Sequence, residues 1–173
     1  SVFLKSDLRE SDEARGLLLD IAENNQQAVV KPVVQRLKHA TEENLSRYLP
    51  LFVLLRDLRP GSDTVLPALL RALRQKDKRV RTEALWTIQT MGAQAEKAIP
   101  SLFQLLLVEE PTIRAQAAEA LRHMPVARKH VERVRGILRQ TEHDDALQFC
   151  LKVLQKMGPE ASPAIPEVTE LLN

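Results

Sequence analysis

Few residues in this sequence are equipped for chemistry, and their spacing gives each a plainer role. The single thiol, Cys150, has His143 near it in sequence. A thiolate held beside an imidazole is a nucleophile. Four histidines are present, His39, His123, His130 and His143. None stands four residues from another, so no helix face offers a two-histidine metal clasp, and a metal site would need ligands from distant parts of the chain. The carboxylate pairs Glu109-Glu110 and Asp144-Asp145 would serve a glycosidase-like reaction only if two acids faced across a cleft with one pKa raised by burial. Acids placed just before a helix instead interact favourably with its positive N-terminal end. No phosphate-cradling glycine loop, nucleophile elbow or dinucleotide fingerprint occurs. The expectation is therefore a protein that is not an enzyme, with no catalytic residue, no metal and no cofactor.

The elements that hold these residues follow from composition. The chain has 173 residues, of which 44% are hydrophobic and 3% aromatic, with five glycines. It can bury a core, and its Leu, Ala, Glu and Arg content suits helices rather than a β-sandwich. A net charge of +2 does not make the whole chain a polyanion binder. One cysteine excludes an internal disulfide and a Cys-rich zinc site, and favours a reducing compartment such as the cytoplasm. No apolar run approaches the ~20 residues needed to span a bilayer. The opening Ser1-Val2-Phe3-Leu4-Lys5 is not a signal peptide.

Repetition organises the rest. Leu58, Met91, Met124 and Met157 recur every 33 residues. Leu55, Ile88, Leu121 and Leu154 precede them by three, and Leu51, Ala84, Ala117 and Cys150 lie four further back, beside Phe52, Leu85, Ala118 and Leu151. These steps mark one face of an α-helix and place Cys150 in a core column. The register extends back to Leu18, Leu19 and Ala22 and fails at Asn25. A second column, Pro67, Pro100 and Pro166, is interrupted at Arg133 and precedes apolar helical runs, with each proline expected in a first helical turn. Pro32 is two residues out of register, which places an insertion around Thr41–Asn44.

Each unit thus reads as helix, turn, helix. First helices are expected at about 26–39, 63–75, 96–108, 128–140 and 162–172, and second helices at about 11–24, 42–58, 78–91, 111–124 and 144–157. Ser11 with Glu13, and Thr41 with Glu42-Glu43-Asn44, resemble N-terminal caps. Gly92 and Gly158 resemble helix-terminating glycines. The expectation is a single repeat domain over 1–173, degenerate over 1–60, clear over 61–158 and closed by a half repeat over 159–173. Ile165, Val168, Leu171 and Leu172 of that half repeat would have an open apolar side. This predicts either that the chain continues in a longer protein or that a partner meets this edge.

The stretch from Glu96-Lys97-Ala98-Ile99-Pro100 through Leu102, Leu105 and Leu106 to Pro111-Thr112-Ile113-Arg114, Ala117-Ala118 and Leu121 resembles a HEAT repeat. It is most similar to the short bacterial, phycobilisome-lyase-like type. Asp77-Lys78-Arg79-Val80-Arg81 with Ala84-Leu85 fits the same pattern. The resemblance implies an all-α fold, a right-handed α-solenoid of stacked antiparallel helix pairs. It also implies an inter-repeat ladder of ion pairs through Asp77, Arg81, Glu110 and Arg114. His143 and Leu147 replace the acid and the arginine in the next copy, so the ladder should weaken there.

In that family the second helices line a concave surface. Trp86 falls there among Thr82, Glu83, Gln89 and Thr90, in a column of Asp20, Val53, Glu119 and Lys152. It is either a partner anchor or a ring tucked against the adjacent repeat. The same face runs through Arg56, Asp57, Arg122, His123, Gln155 and Lys156. The leading expectation is a non-catalytic interaction or scaffold module that binds another protein or peptide segment through Trp86, Gln89, Thr90, Glu119, Arg122 and His123. The alternative is nucleic-acid binding through two basic clusters: Arg71, Arg74, Lys76, Lys78, Arg79 and Arg81 within 71–81, and Arg128, Lys129, Arg133, Arg135 and Arg139 within 128–139. A lyase-type accessory role follows only from the resemblance.

Overall fold

The computed structural model describes residues 8–40 and 45–172. The expectations for Ser1–Lys5, for an insertion around Thr41–Asn44 and for a cap at Thr41 lie outside these residues. The described residues form helices and 3₁₀ turns with no strand, and no helix among them is long and apolar enough to cross a membrane.

The first helical run, α1, covers Leu8–Lys38 but is broken at Asn25, whose φ of −153° and ψ of 82° leave the helical region. The Asn25 side chain accepts a hydrogen bond from the Ala28 N–H at 3.3 Å. Asn25 is thus the N-cap of the second segment, which explains why the apolar register stops there. Ser11 lies inside the first segment, so it is not the cap expected there: the helix already covers Leu8.

The remaining helices are α2 (Leu49–Leu58), α3 (Ser62–Ala72), α4 (Lys78–Met91), α5 (Ile99–Leu105), α6 (Pro111–Arg122), α7 (Val131–Gln140), α8 (Asp144–Met157) and α9 (Ile165–Glu170). The expected first helices near 96, 128 and 162 begin later, because Gly92–Ala98, Arg128–His130 and Gly158–Ala164 are 3₁₀ turns that lead into α5, α7 and α9. Pro100 and Pro166 stand in the first turns of α5 and α9, as expected. Pro67 does not, since α3 starts at Ser62 and carries the proline inside. Pro67 therefore forgoes one hydrogen bond, to the carbonyl of residue 63.

The residues group into two compact units, one ending at Gln94 and the other starting at Ala95. In the first, α1 packs on α2 and α3, and α4 packs on both α2 and α3. In the second, α5 packs on α6 and α7, and α8 packs on α6 and α7, while α9 lies against α7. Each unit is thus two layers of helices around a core. Phe52, Leu54, Leu55, Leu69, Leu85 and Ile88 are fully buried in the first, and Ile99, Leu102, Phe103, Leu106 and Ile113 in the second.

The columns read from the sequence are largely buried, including Leu51, Ala84, Ala117 and Cys150. One column opens along the chain. Phe52 and Leu85 are buried, Ala118 is half-buried and Leu151 is 37% exposed. The helices packed on α8 cover Cys150 and Leu154 but leave the side bearing Leu151 open.

Helix exits follow the register too. Gly92 and Gly158 end α4 and α8 with φ of 53° and 58° and ψ near −130°, a region that a Cβ makes costly. The matching exit of α2 is Arg59, at φ 44° and ψ 53°. It is a non-glycine residue held in the left-handed region.

Candidate functional site

Cys150 is fully buried in α8, and burial pushes its thiol up to about 12. Such a thiol is not a nucleophile near neutral pH. The histidines are dispersed. His39 and His123 are exposed, His143 stands 3.9 Å from Glu109, and His130 is buried. His130 Nδ1 accepts the Ala127 N–H at 3.1 Å, and its pKa is lowered, chiefly by burial and then by the Lys129 charge. No cluster of metal-ligating side chains occurs among the described residues.

The arginines one repeat apart, Arg81 and Arg114, do the same local work. Arg81 donates to the carbonyls of Gln75 at 2.8 Å and Lys76 at 3.1 Å. Arg114 donates to those of Val108 and Glu109, both at 2.8 Å. Each guanidinium thus satisfies carbonyls in the turn before its own helix. Arg114 also grips Asp145 on α8, with its Nε 3.0 and 2.9 Å from the two carboxylate oxygens. Burial disfavours the Asp145 charge, but Arg114 and the Ala146 N–H outweigh it and hold the carboxyl below its ordinary 3.8. Asp77 is the N-cap of α4, accepting the Arg79 N–H at 2.9 Å. The Arg79 side chain also bonds Asp77, and this bond is the main reason its carboxyl is lowered. Glu110 holds the equivalent N-cap position of α6. The pattern's acid position in the next copy is held by His143, and the acid that Arg114 meets, Asp145, is two residues further on.

On the second-helix layer of the first unit, Trp86 is 41% exposed. The Arg56 guanidinium from α2 lies 5.4 Å from its ring centroid, a cation–π distance. Arg56 is held in turn by Glu83 at 3.2 Å and by Asp57 at 3.8 Å, and Arg15 stands 3.7 Å from Asp57. Burial raises the Glu83 pKa; the Arg56 charge opposes this and the Asp57 charge adds to it. The Trp86 ring is therefore braced by the adjacent helix and still faces solvent. Gln89 is half-buried beside it, and Thr90 turns its hydroxyl back to the Thr87 carbonyl at 2.8 Å.

On the second-helix layer of the second unit, Glu119 binds Arg122 at 3.0 Å and His123 at 3.1 Å along α6. The three expected contact residues there are brought together, but into one internally paired cluster. Next to it α6 and α8 enclose a cavity of about 240 Å³ with a floor of Leu121, Met124, Val126, Phe149 and Val153. Arg122, Lys152 and Lys156 edge it. The sequence reading missed this cavity, because Phe149 and Val153 look like any apolar helix face.

The basic clusters are heavily committed elsewhere. Arg71 donates to the carbonyls of Leu37, of Lys38 at 3.0 Å and of Ala40 at 3.2 Å, closing the end of α1. Arg79 is on Asp77, and Lys129 pairs with Glu96. Arg135 and Arg139 converge on the buried Glu167 of α9. The Arg135 hydrogen bond is the largest influence on Glu167 and brings its carboxyl down to about 2.

Comparison with known proteins bears on this arrangement of paired, capped helices. Residues 30–122, just over half of the chain, match the description of HEAT repeats. A search of curated proteins found no match. The family match does not distinguish the phycobilisome-lyase-like type expected from the sequence. HEAT repeats generally mediate protein interaction or scaffolding and are typically non-catalytic. On the matched residues, the repeating columns and the layered helix pairs, the chain belongs to the HEAT-repeat family.

Proposed function

We propose that this protein is an interaction module whose second helices dock a partner protein or peptide segment. The observation that carries this reading is Trp86, a large ring that is 41% exposed yet braced by Arg56. Tryptophan dominates binding hot spots because it buries a large apolar area and carries one polar handle. A ring already held in place loses less freedom on binding than a free one. Gln89 and Thr90 supply polar edges beside it in the first unit. Glu119, Arg122 and His123 supply a second polar patch on α6 of the second unit.

The test is affinity capture with the wild-type protein and the Trp86→Ala variant, with partners identified by mass spectrometry. A specific partner should bind the variant about tenfold more weakly, equal to roughly 1.4 kcal/mol, with the thermal melt unchanged. Equal affinity removes Trp86 from the site. The nucleic-acid reading has less support, because Arg71, Arg79, Lys129, Arg135 and Arg139 are committed to carbonyls or carboxylates within the protein. Duplex binding that falls steeply with salt would restore it.

A further inference from the structure

We infer that the cavity between α6 and α8 is a docking pocket for an acidic peptide segment that inserts one large apolar side chain and sets carboxylates against Lys152 and Lys156. This rests on the interaction-module reading for the kind of partner, but on residues other than Trp86. Three observations carry it.

The first is size. The cavity holds about 240 Å³, below the ~300–1,000 Å³ usual for small-molecule and cofactor sites. It suits a side chain rather than a cofactor. The second is lining. The floor of Leu121, Met124, Phe149 and Val153 is apolar, and methionine adapts to differently shaped guests. The third is charge. Glu119 already neutralises Arg122 at 3.0 Å. Lys152 and Lys156 are exposed, lie one turn apart on α8 and have no ion-pair partner among the described residues. No carboxylate lines the cavity. An apolar hole with two uncompensated cations at its edge complements an apolar residue flanked by acids. A nucleic acid would offer the charge but nothing for the floor, and Phe149 is too buried to stack on a base.

The experiment is selection of a random peptide display library on the full chain. Wild type, Lys152→Glu/Lys156→Glu and Trp86→Ala are compared, followed by fluorescence anisotropy of the enriched peptides in low and high salt. Peptides with acidic residues around a large aliphatic or aromatic residue should be enriched. They should bind the double charge-reversal variant about tenfold more weakly and lose affinity as salt rises. They should bind Trp86→Ala unchanged. Alanine in place of the apolar residue should weaken binding comparably. Circular dichroism of the variants, whose changed lysines are exposed, confirms an intact fold. The inference is overturned by no enrichment, by enrichment of neutral or basic peptides, by acidic peptides indifferent to charge reversal, or by tighter binding of duplex DNA or anionic vesicles at the same residues. Loss of binding in Trp86→Ala alone would place the site in the first unit and sink this proposal while leaving the interaction-module reading standing.

Discussion

The two units are built from the same repeat but arrange their surface charge differently. In the first, Arg56 is shared among Glu83, Asp57 and the face of Trp86, so a charged network braces an aromatic ring. In the second, the network on α6 closes on itself through Glu119, and the adjacent lysines of α8, beside an apolar cavity, have no ion-pair partner among the described residues. Beneath these faces the scaffold residues keep one job, as Arg81 and Arg114 both clamp the carbonyls of the preceding turn. The repeat specifies caps, clamps and core columns, and leaves the outer positions of the second helices free to vary.

The largest way to test that division is to remove a clamp. Arg114→Ala exposes two carbonyls to an incomplete partner set and strands Asp145. It should cost about 3 kcal/mol in chemical denaturation, with the half-exposure of Asp145 keeping the figure from being larger. A loss no greater than that of an ordinary surface substitution would mean that the clamp does not hold the scaffold.

Acid should separate the units next. Glu167, lowered from an ordinary 4.5 to about 2, contributes stability that is complete above 4.5 and lost as pH falls through 2. Glu83 is raised, so it takes up its proton more readily in the folded state, and acid acts on it in the opposite sense. The difference in melting temperature between wild type and Glu167→Gln should therefore shrink between about pH 4.5 and 2. The corresponding difference for Glu83→Gln should not shrink in the same direction. A constant gap for Glu167→Gln would separate that residue from the acid response.

The smallest effects are expected at the helix exits. A Cβ at Gly158 would have open space around it, so only the φ of +58° opposes a side chain. Gly158→Ala should cost about 1–2 kcal/mol, because φ +58° with ψ −130° lies outside the left-handed region and is open mainly to glycine. Arg59→Gly, at the matching exit in the first unit, should stabilise by roughly 0.5 kcal/mol. A reversed order in paired melts would show that the exits are not equivalent.

Much of this was readable from residue spacing. The 33-residue register located the core columns through Leu51 and Leu55, the exits at Gly92 and Gly158, and the burial of Cys150, but not the buried column of Val80, Ile113 and Ala146. It could not see the 3₁₀ turns at Gly92–Ala98 and Gly158–Ala164, because a proline two residues beyond suits either the turn's end or a helix's start. It set the start of α3 at about 63, close to the observed Ser62, but misread Pro67 as a first-turn residue, because α3 begins five residues before its proline while α5 and α9 begin one before theirs. The site was harder. Trp86 stood out as an aromatic in a polar column, but its brace on Arg56 is a contact between helices. With His143 at the ladder's acid position the register predicts a weaker link there, yet Arg114 reaches Asp145 two residues on, because ion pairs follow side-chain reach rather than register. The lysines beside the cavity have no ion-pair partner among the described residues, and a missing partner leaves no mark in sequence.

The burial of Cys150 has a practical side. It is the chain's one thiol and it is wholly enclosed in the second unit. A thiol-reactive probe can reach it only when that region opens, so labelling reports the frequency of opening rather than surface reactivity. The unaltered protein therefore carries its own clock for breathing of the helices around α8. The same reaction run with and without a bound peptide would time how firmly the guest holds them shut.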